Sequence, residues 1–168
     1  MSAITMPVVV VTAGGRALNE AETRGLEEVR VQQRLSLPAQ CELAFADPPG
    51  PLAAAERLLP GTELRVEARD GPPLFRGEVT ALEQVYGPAG QRQVRVRGYD
   101  RLHRLRKRQP VKAHVQMTVV ELARELTRDL GLSVQSSGTE GPFRPWLIQH
   151  RRSDLQLLAD LAAEAGLY

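Results

Sequence analysis

A two-residue rhythm of apolar and charged side chains, broken by glycine and proline, constrains the first hundred residues more than any other feature. Leu64, Val66 and Ala68 alternate with Arg65, Glu67 and Arg69. Phe75, Gly77, Val79 and Ala81 alternate with Arg76, Glu78 and Thr80, and Val94, Val96 and Gly98 continue the pattern. Successive side chains of a strand point to opposite faces, so this spacing predicts strands with one buried and one solvated face. Residues 8–11 read as a first, largely buried strand, and residues 26–37 as a second, with Val29, Val31, Leu35 and Leu37 largely on one face. Cys41, Leu43 and Phe45 share a face in a third, spanning residues 41–46. Asp70-Gly71-Pro72-Pro73 and Gly87-Pro88-Ala89-Gly90 are turn sequences, and Asp47-Pro48-Pro49-Gly50-Pro51 excludes both helix and ladder. Residues 52–59 predict a short helical patch ended by Pro60-Gly61. Six strands joined by such turns predict an antiparallel sheet curled into a small barrel or sandwich.

From Asp100 onward the period becomes helical. Thr118 followed by Glu121 forms a capping box, Val119, Leu122, Ala123, Leu126 and Leu130 fall on one stripe, and Gly131 stands where helices end. Residues 132–134 and 146–149 predict short strands separated by a loop over 136–142. Ser153 caps a last helix in which Leu155, Leu158, Ala162 and Ala165 line a face that Leu157 and Leu161 widen. The expected fold class is α+β: a small antiparallel β-barrel over residues 1–100, then a compact α+β unit with two helices over residues 101–168. Leu167-Tyr168 opens a strand that does not continue, so a further domain is expected beyond it.

Aromatic residues make up only 4% of the chain, which leaves Leu, Val and Ala to build the core. No apolar run approaches the ~20 residues of a membrane helix, and residues 8–11 are too short for a signal-peptide core and lack a basic leader. Assembly in the cytoplasm is the expectation. The single cysteine, Cys41, can form neither an internal disulfide nor a multi-cysteine metal site, and its strand position predicts a small buried hydrophobe. His103, His114 and His150 lack the spacing of metal ligands, and there is no nucleophile elbow or phosphate loop. Carboxylates alternate with arginines along the strands, the pattern of a solvated sheet face. No catalytic, cofactor-binding or metal residue is expected, and the chain does not read as an enzyme.

One segment stands out by charge. Arg92, Arg95, Arg97, Arg101, Arg104, Arg106, Lys107 and Arg108 occur with Asp100 as the only acid among them, in a chain of net charge +2. Such a cluster can mark a phosphate footprint. However, Arg95 and Arg97 alternate with Val94 and Val96, and Arg101, Arg104 and Arg108 lie opposite Leu102 and Leu105 in a short amphipathic turn. Tyr99 is the only aromatic there, too little for a base-stacking platform, and Asp100 is placed to cap the turn. Arg97, Tyr99, Asp100, Arg101, His103, Arg104, Arg106, Lys107 and Arg108 are therefore read as a protein interface. A nucleic-acid-binding module using Arg92–Arg108 is the alternative.

Two stretches resemble a known family. Leu74-Phe75-Arg76-Gly77-Glu78-Val79-Thr80-Ala81-Leu82-Glu83 and Val96-Arg97-Gly98-Tyr99-Asp100-Arg101-Leu102-His103-Arg104-Leu105 are similar to the hub region of VgrG-like spike proteins of contractile injection systems, which are related to phage late-control protein D and type VI secretion VgrG. Gln149, Ser153-Asp154-Leu155-Gln156-Leu157-Leu158 and Ala163-Glu164-Ala165-Gly166-Leu167-Tyr168 resemble that family's closing element, with leucine at 157 or 158 where an aromatic is common. The resemblance implies a trimeric symmetry adapter joining a hexameric inner tube to a spike. It implies self-association in the full-length protein and contacts with inner tube, baseplate, and spike tip or effector cargo. The implied location is a phage tail or a secreted injection particle. It also implies a second barrel, a neck and a needle beyond Tyr168. No cofactor is expected, and a nucleic-acid partner is kept only as the alternative above.

Overall fold

The computed structural model describes residues 9–46, 55–69, 71–136, 138 and 140–167. The readings that fall on Val8, on residues 47–54, on Asp70 and on Tyr168 lie outside the described residues. The chain forms two compact units. One comprises Met1–Gln33 and Ala39–Asp100, the other Arg34–Pro38 and Arg101–Tyr168.

The first unit is one antiparallel sheet. Its strands are β1 (Val9–Ala13), β2 (Arg16–Ala17), β3 (Leu26–Gln32), β4 (Gln40–Ala46), β5 (Glu63–Ala68), β6 (Pro73–Tyr86) and β7 (Arg92–Tyr99), in the order β2-β1-β5-β6-β7-β4-β3. The alternation seen in sequence is realised: Val11, Ala13, Cys41, Leu43, Phe45, Leu64, Val66, Phe75, Val79, Val94 and Val96 all point to one buried face. Among the described residues Leu58, following a 3₁₀ turn at Ala55–Arg57, joins this buried set from outside the strands, and partly buried Leu18 and Ala39 pack against it. A sheet whose face is dry without a covering helix must roll over itself. Strand β6 makes this possible by serving different neighbours along its length. Pro73–Glu78 pairs with β5, and Glu78–Tyr86 pairs with β7, with a register shift between Val79 and Ala81.

The crossing is glycine-dependent. A Cβ on Gly77 would lie 2.2 Å from the Tyr99 carbonyl oxygen and 2.6 Å from Phe75 Cζ. On Gly98 it would lie 3.0 Å from both the Glu78 carbonyl oxygen and Leu64 Cδ2. The strands approach here more closely than any side chain allows.

Three readings of this half need correction. The expected closure into a barrel is absent among the described residues: β2 and β3 end the strand order and no pairing joins them. The antiparallel sheet is present, and its closure is not seen among the described residues. Strand β3 ends at Gln32, not Leu37, because Leu37 N–H donates to the Arg34 carbonyl across a turn with Ser36 at φ +59°. A one-turn helix, α1 (Glu20–Thr23), was not expected; Asn19 caps it in a reciprocal box with Glu22, both bonds 2.9 Å.

In the second unit a 3₁₀ helix (Arg101–Lys107) precedes β8 (Lys112–Met117), α2 (Val119–Thr127), a 3₁₀ turn (Arg128–Leu130), β9 (Arg144–Gln149) and α3 (Asp154–Glu164). Strands β8 and β9 form a two-stranded antiparallel sheet. The expected caps are present. Thr118 and Glu121 form their box, Gly131 takes φ +63°, and Ser153 pairs with Gln156. Leu105, Val119, Leu122, Leu126, Leu130, Leu155, Leu157 and Leu161 make the core. The strand expected at 132–134 does not form; β8 takes the place beside β9. Helix α3 is also turned from the expected setting, burying Asp154, Leu157 and Leu161 more deeply than Leu158 and Ala162.

The crossing yields a direct prediction. Gly77→Ala should lower the unfolding free energy by about 3 kcal/mol or more, because a backbone carbonyl must move. Gly90→Ala, at a left-handed position with nothing within 4 Å, should cost about 1 kcal/mol. Urea denaturation of the two variants beside wild type checks the ordering.

Candidate protein interface

Strand β7 lies between β4 and β6, so its outward side chains have neighbours on both sides. Arg97 uses both. Its Nε donates to Glu42 Oε2 at 3.1 Å, and its Nη1 lies 3.0 Å from Glu83 Oε1. Arg95 Nε donates to Gln93 Oε1 at 2.7 Å. Tyr99 and Asp100 close the strand. Tyr99 stands opposite Gln40 on one side and Glu78 on the other. Asp100 Oδ2 accepts from the Ala39 N–H at 2.7 Å, while its own N–H donates to the Ala39 carbonyl at 3.0 Å, fastening the start of β4 to the end of β7.

The remaining residues of the basic segment belong to the second unit. A 3₁₀ helix repeats every three residues, which puts Leu102 and Leu105 on one ridge and Arg101, Arg104 and Lys107 on another. Leu105 is fully buried and His103 nearly so, at 7% exposure. His103 therefore faces inward and is not part of the surface that the segment presents. Two arginines turn toward the end of α2. Arg101 Nη1 donates to the Leu130 carbonyl at 3.2 Å, and Arg108 Nη1 donates to the Leu126 carbonyl at 3.3 Å and to Asp129 Oδ1 at 3.1 Å. The last carbonyls of a helix have no intrahelical donor and carry partial negative charge, so cations satisfy them twice over. The Arg108 hydrogen bond holds the Asp129 carboxyl below its usual value. Arg104, Arg106 and Lys107 are exposed. Arg97 thus ties strands together in the first unit, and Arg101 and Arg108 reach carbonyls near the end of α2 in the second, where Arg101, Arg104, Arg106 and Lys107 are exposed.

Sequence reading missed two polar clusters. In the first unit Arg57 Nη1 reaches both oxygens of buried Glu22 at 2.6 and 2.7 Å, and its Nη2 donates to the carbonyls of Ala13 and Arg16. That hydrogen bond, with the Asn19 N–H, lowers the Glu22 pKa. In the second unit His114, Gln149 and Asp154 are 2%, 0% and 3% exposed. Gln149 Nε2 donates to Asp154 Oδ1 at 2.8 Å and to the Arg152 carbonyl at 3.1 Å. Gln149 Oε1 is then left to accept, and His114 Nε2, 3.1 Å away, is its donor. His114 Nδ1 has no hydrogen-bond partner and lies 3.7 Å from Glu125 Oε1. The sequence signal for this chain of groups was the polar Gln149 closing the run Trp146-Leu147-Ile148, whereas His114, in Lys-Ala-His-Val-Gln-Met, left none.

No described set of three His, Cys, Asp or Glu residues could hold a metal ion. Cys41 is fully buried, and desolvation, followed by the charge of Glu42, pushes its thiol up to about 12. A thiol in that state is not a nucleophile at neutral pH.

The model of the phage tail baseplate hub (GPD) family matches residues 32–168. The chain belongs to that family. No curated protein matches it in sequence. Among solved structures this hub-family chain is similar to the 43 kDa tail protein of prophage MuSo2 from Shewanella oneidensis, with a TM-score of 0.74 at 18% identity over 94% of this chain and 48% of that one. It is similar to a tail protein from Neisseria meningitidis MC58, with a TM-score of 0.63 at 17% identity over 94% of this chain and 45% of that one. A type VI secretion component of Escherichia coli, described as structurally similar to bacteriophage T4 tail proteins, gives 0.61 at 13% identity over 82% and 43%. At these identities the likeness is one of fold. The chain spans less than half the length of each of the three.

The hub-family basic segment supports a pH prediction. The Asp129 carboxyl lies below its ordinary 3.8 when folded, so its contribution is present above that value and is lost as pH falls through the folded value. In Arg108→Ala the Asp129 carboxyl should titrate back toward 3.8 and its share of the acid slope should disappear. Side-chain carboxyl NMR titration of wild type and variant measures both.

Proposed function

We propose that this chain is the tube-facing part of a trimeric baseplate hub, a symmetry adapter between inner tube and spike in a phage tail or contractile injection machine. The observation that carries the reading is the hub-family match over residues 32–168. The family is structural, and the role is mechanical: the hub seats the spike and is driven outward with it. In this reading the rolled sheet of each of three subunits supplies a barrel-like domain to a ring beneath the hexameric tube. A load-bearing sheet needs its strands fastened on their outer face, and the Arg97 pairs with Glu42 and Glu83 supply that.

The proposed interface keeps Arg97, Tyr99, Asp100, Arg101, Arg104, Arg106, Lys107 and Arg108, with the exposed 104, 106 and 107 as its charged centre. Charge at an interface rim acts mainly on encounter and orientation. Partners in this reading are further copies of the chain, inner tube and baseplate proteins, and a spike tip or effector. Assembly takes place in the cytoplasm before the particle is released. No described helix is long and apolar enough to cross a membrane.

The test is binding to the inner tube protein of the same machine. Reversing 104, 106 and 107 together to glutamate should weaken binding about tenfold or more, chiefly through a slower association rate that is sensitive to salt. Unchanged binding moves the interface elsewhere. Tight DNA binding that falls steeply with salt and is lost in the triple variant would replace this reading with the nucleic-acid one.

A further inference from the structure

The buried ring of His114 has one nitrogen satisfied and one not. Gln149 Nε2 donates to the Arg152 carbonyl and to Asp154 Oδ1. A backbone carbonyl can only accept, so the amide nitrogen of Gln149 is fixed on that side and its Oε1 faces His114. The ring hydrogen of His114 therefore sits on Nε2, and in the neutral ring Nδ1 is a bare lone pair. That nitrogen is buried, has no hydrogen-bond partner, and lies 3.7 Å from Glu125 Oε1. Two acceptors facing each other in a site shielded from water repel, and the desolvated lone pair is left unsatisfied. A proton on Nδ1 turns the same geometry into a charge-assisted pair. The charged groups around the ring come from three elements. Lys112, on its own strand, donates from Nζ to the same Glu125 oxygen at 2.5 Å. Glu125 is on α2, and Arg128 in the turn after it acts on the Glu125 carboxylate. Asp154, on α3, is reached only through Gln149. The Lys112 hydrogen bond, backed by the charges of Lys112, His114 and Arg128, holds the Glu125 carboxyl below its usual value, so it remains a carboxylate wherever a histidine titrates.

We infer that His114 and Glu125 form a pH-sensitive latch between β8 and α2. When Nδ1 holds a proton, the imidazolium donates to the Glu125 carboxylate. When the proton leaves, Lys112 alone ties that carboxylate to the strand. The Nε2 bond to Gln149 is made in both states, so the chain through Gln149 to Asp154 fixes the ring while only its Nδ1 side changes partner. Closing the latch needs the carboxylate to approach by about 1 Å, to the ~2.8 Å of a charge-assisted bond. Glu125 is 30% exposed and the Lys112 side chain 49% exposed, so both have room to adjust at the surface end of the pair. A bond that only the protonated ring can make is present on the acid side of the histidine range and is lost as pH rises through it. The latch is independent of the hub reading and gives the second unit a response to pH that a mechanical adapter does not require.

The experiment is a double-mutant cycle on the 168-residue chain, read at about pH 5.5 and about pH 8, on either side of the ordinary histidine value. His114→Gln keeps a donor for Gln149 and removes Nδ1. Glu125→Gln removes the carboxylate and keeps its shape. Trp146, the only tryptophan, lies on β9 of the second unit, so urea unfolding followed by its emission reports on that unit. The expected coupling between the two positions is about tenfold or more in the unfolding constant at the lower pH and less than about twofold at the higher. A purely structural contact would couple them equally at both. Nitrogen-15 NMR of the wild-type ring gives a second reading that needs no variant to fold. Both ring nitrogens of His114 should carry hydrogens at the lower pH, with the Nδ1 hydrogen slow to exchange, and only Nε2 at the higher. Coupling that is absent, or equal at the two pH values, overturns the inference. So does a ring whose Nδ1 stays bare at the lower pH, or one whose neutral form carries its hydrogen on Nδ1.

Discussion

The close approach of Gly77 to the Tyr99 carbonyl is the constraint on which the first unit depends. Eleven buried strand residues and Leu58 have no helix over them among the described residues. Their dryness depends on the sheet turning back across its own face. That turn is made where β6 stops pairing with β5 and starts pairing with β7, and Gly77 and Gly98 are the residues that let the backbones meet there. Outside the turn, Arg97 links β7 to carboxylates of β4 and β6, and Asp100 binds the start of β4 through Ala39. The inner crossing and the outer clamp share strands β6 and β7.

The second unit is fastened differently. Its helices begin at reciprocal side-chain caps, Arg108 reaches the Leu126 carbonyl near the end of α2, and Arg101 reaches the Leu130 carbonyl of the following 3₁₀ turn, which stops at left-handed Gly131. Two arginines of an apparently nucleic-acid-like cluster are in this way turned to helix termini. Charge counted along a sequence does not say where each cation points. Arg101, Arg104, Arg106 and Lys107 are exposed, and His103 between them is buried. The same unit places His114 and Gln149 inside and Trp146 outside, an arrangement that ordinary packing does not favour and that buried hydrogen bonds enforce.

Much of this was legible in the sequence, for physical reasons that differ from element to element. Period-two alternation located the strands of the first unit because one face of each is buried, and the capping boxes at Thr118 and Ser153 located both long helices because orphan N–H groups need a side-chain acceptor. The family resemblance lay in residues from Leu74 to Leu105 and in the closing helix, within the span that the hub-family match covers. Strand β8 was not legible: Lys-Ala-His-Val-Gln-Met has the right period with the wrong polarity, so neither a buried nor a solvated face could be assigned to it. Helix α1 was too short to leave a periodic signal, and the turn at Ser36 has a backbone conformation that its residue type does not announce.

Of the basic segment, the sequence by itself determined the charge, the strand–turn division near Asp100 and the family resemblance. It could not determine where each cation points. Only the tertiary structure decided that Arg97 spans three strands, that His103 is buried, and that Arg101 and Arg108 reach carbonyls 29 and 18 residues later in the chain. Those partners are set by long-range register and packing, which no local pattern encodes. Closure of the sheet is of the same kind. Alternation fixes which face of a strand is wet, whereas closure depends on pairing between end strands far apart in sequence, and among the described residues β2 and β3 end the order without pairing.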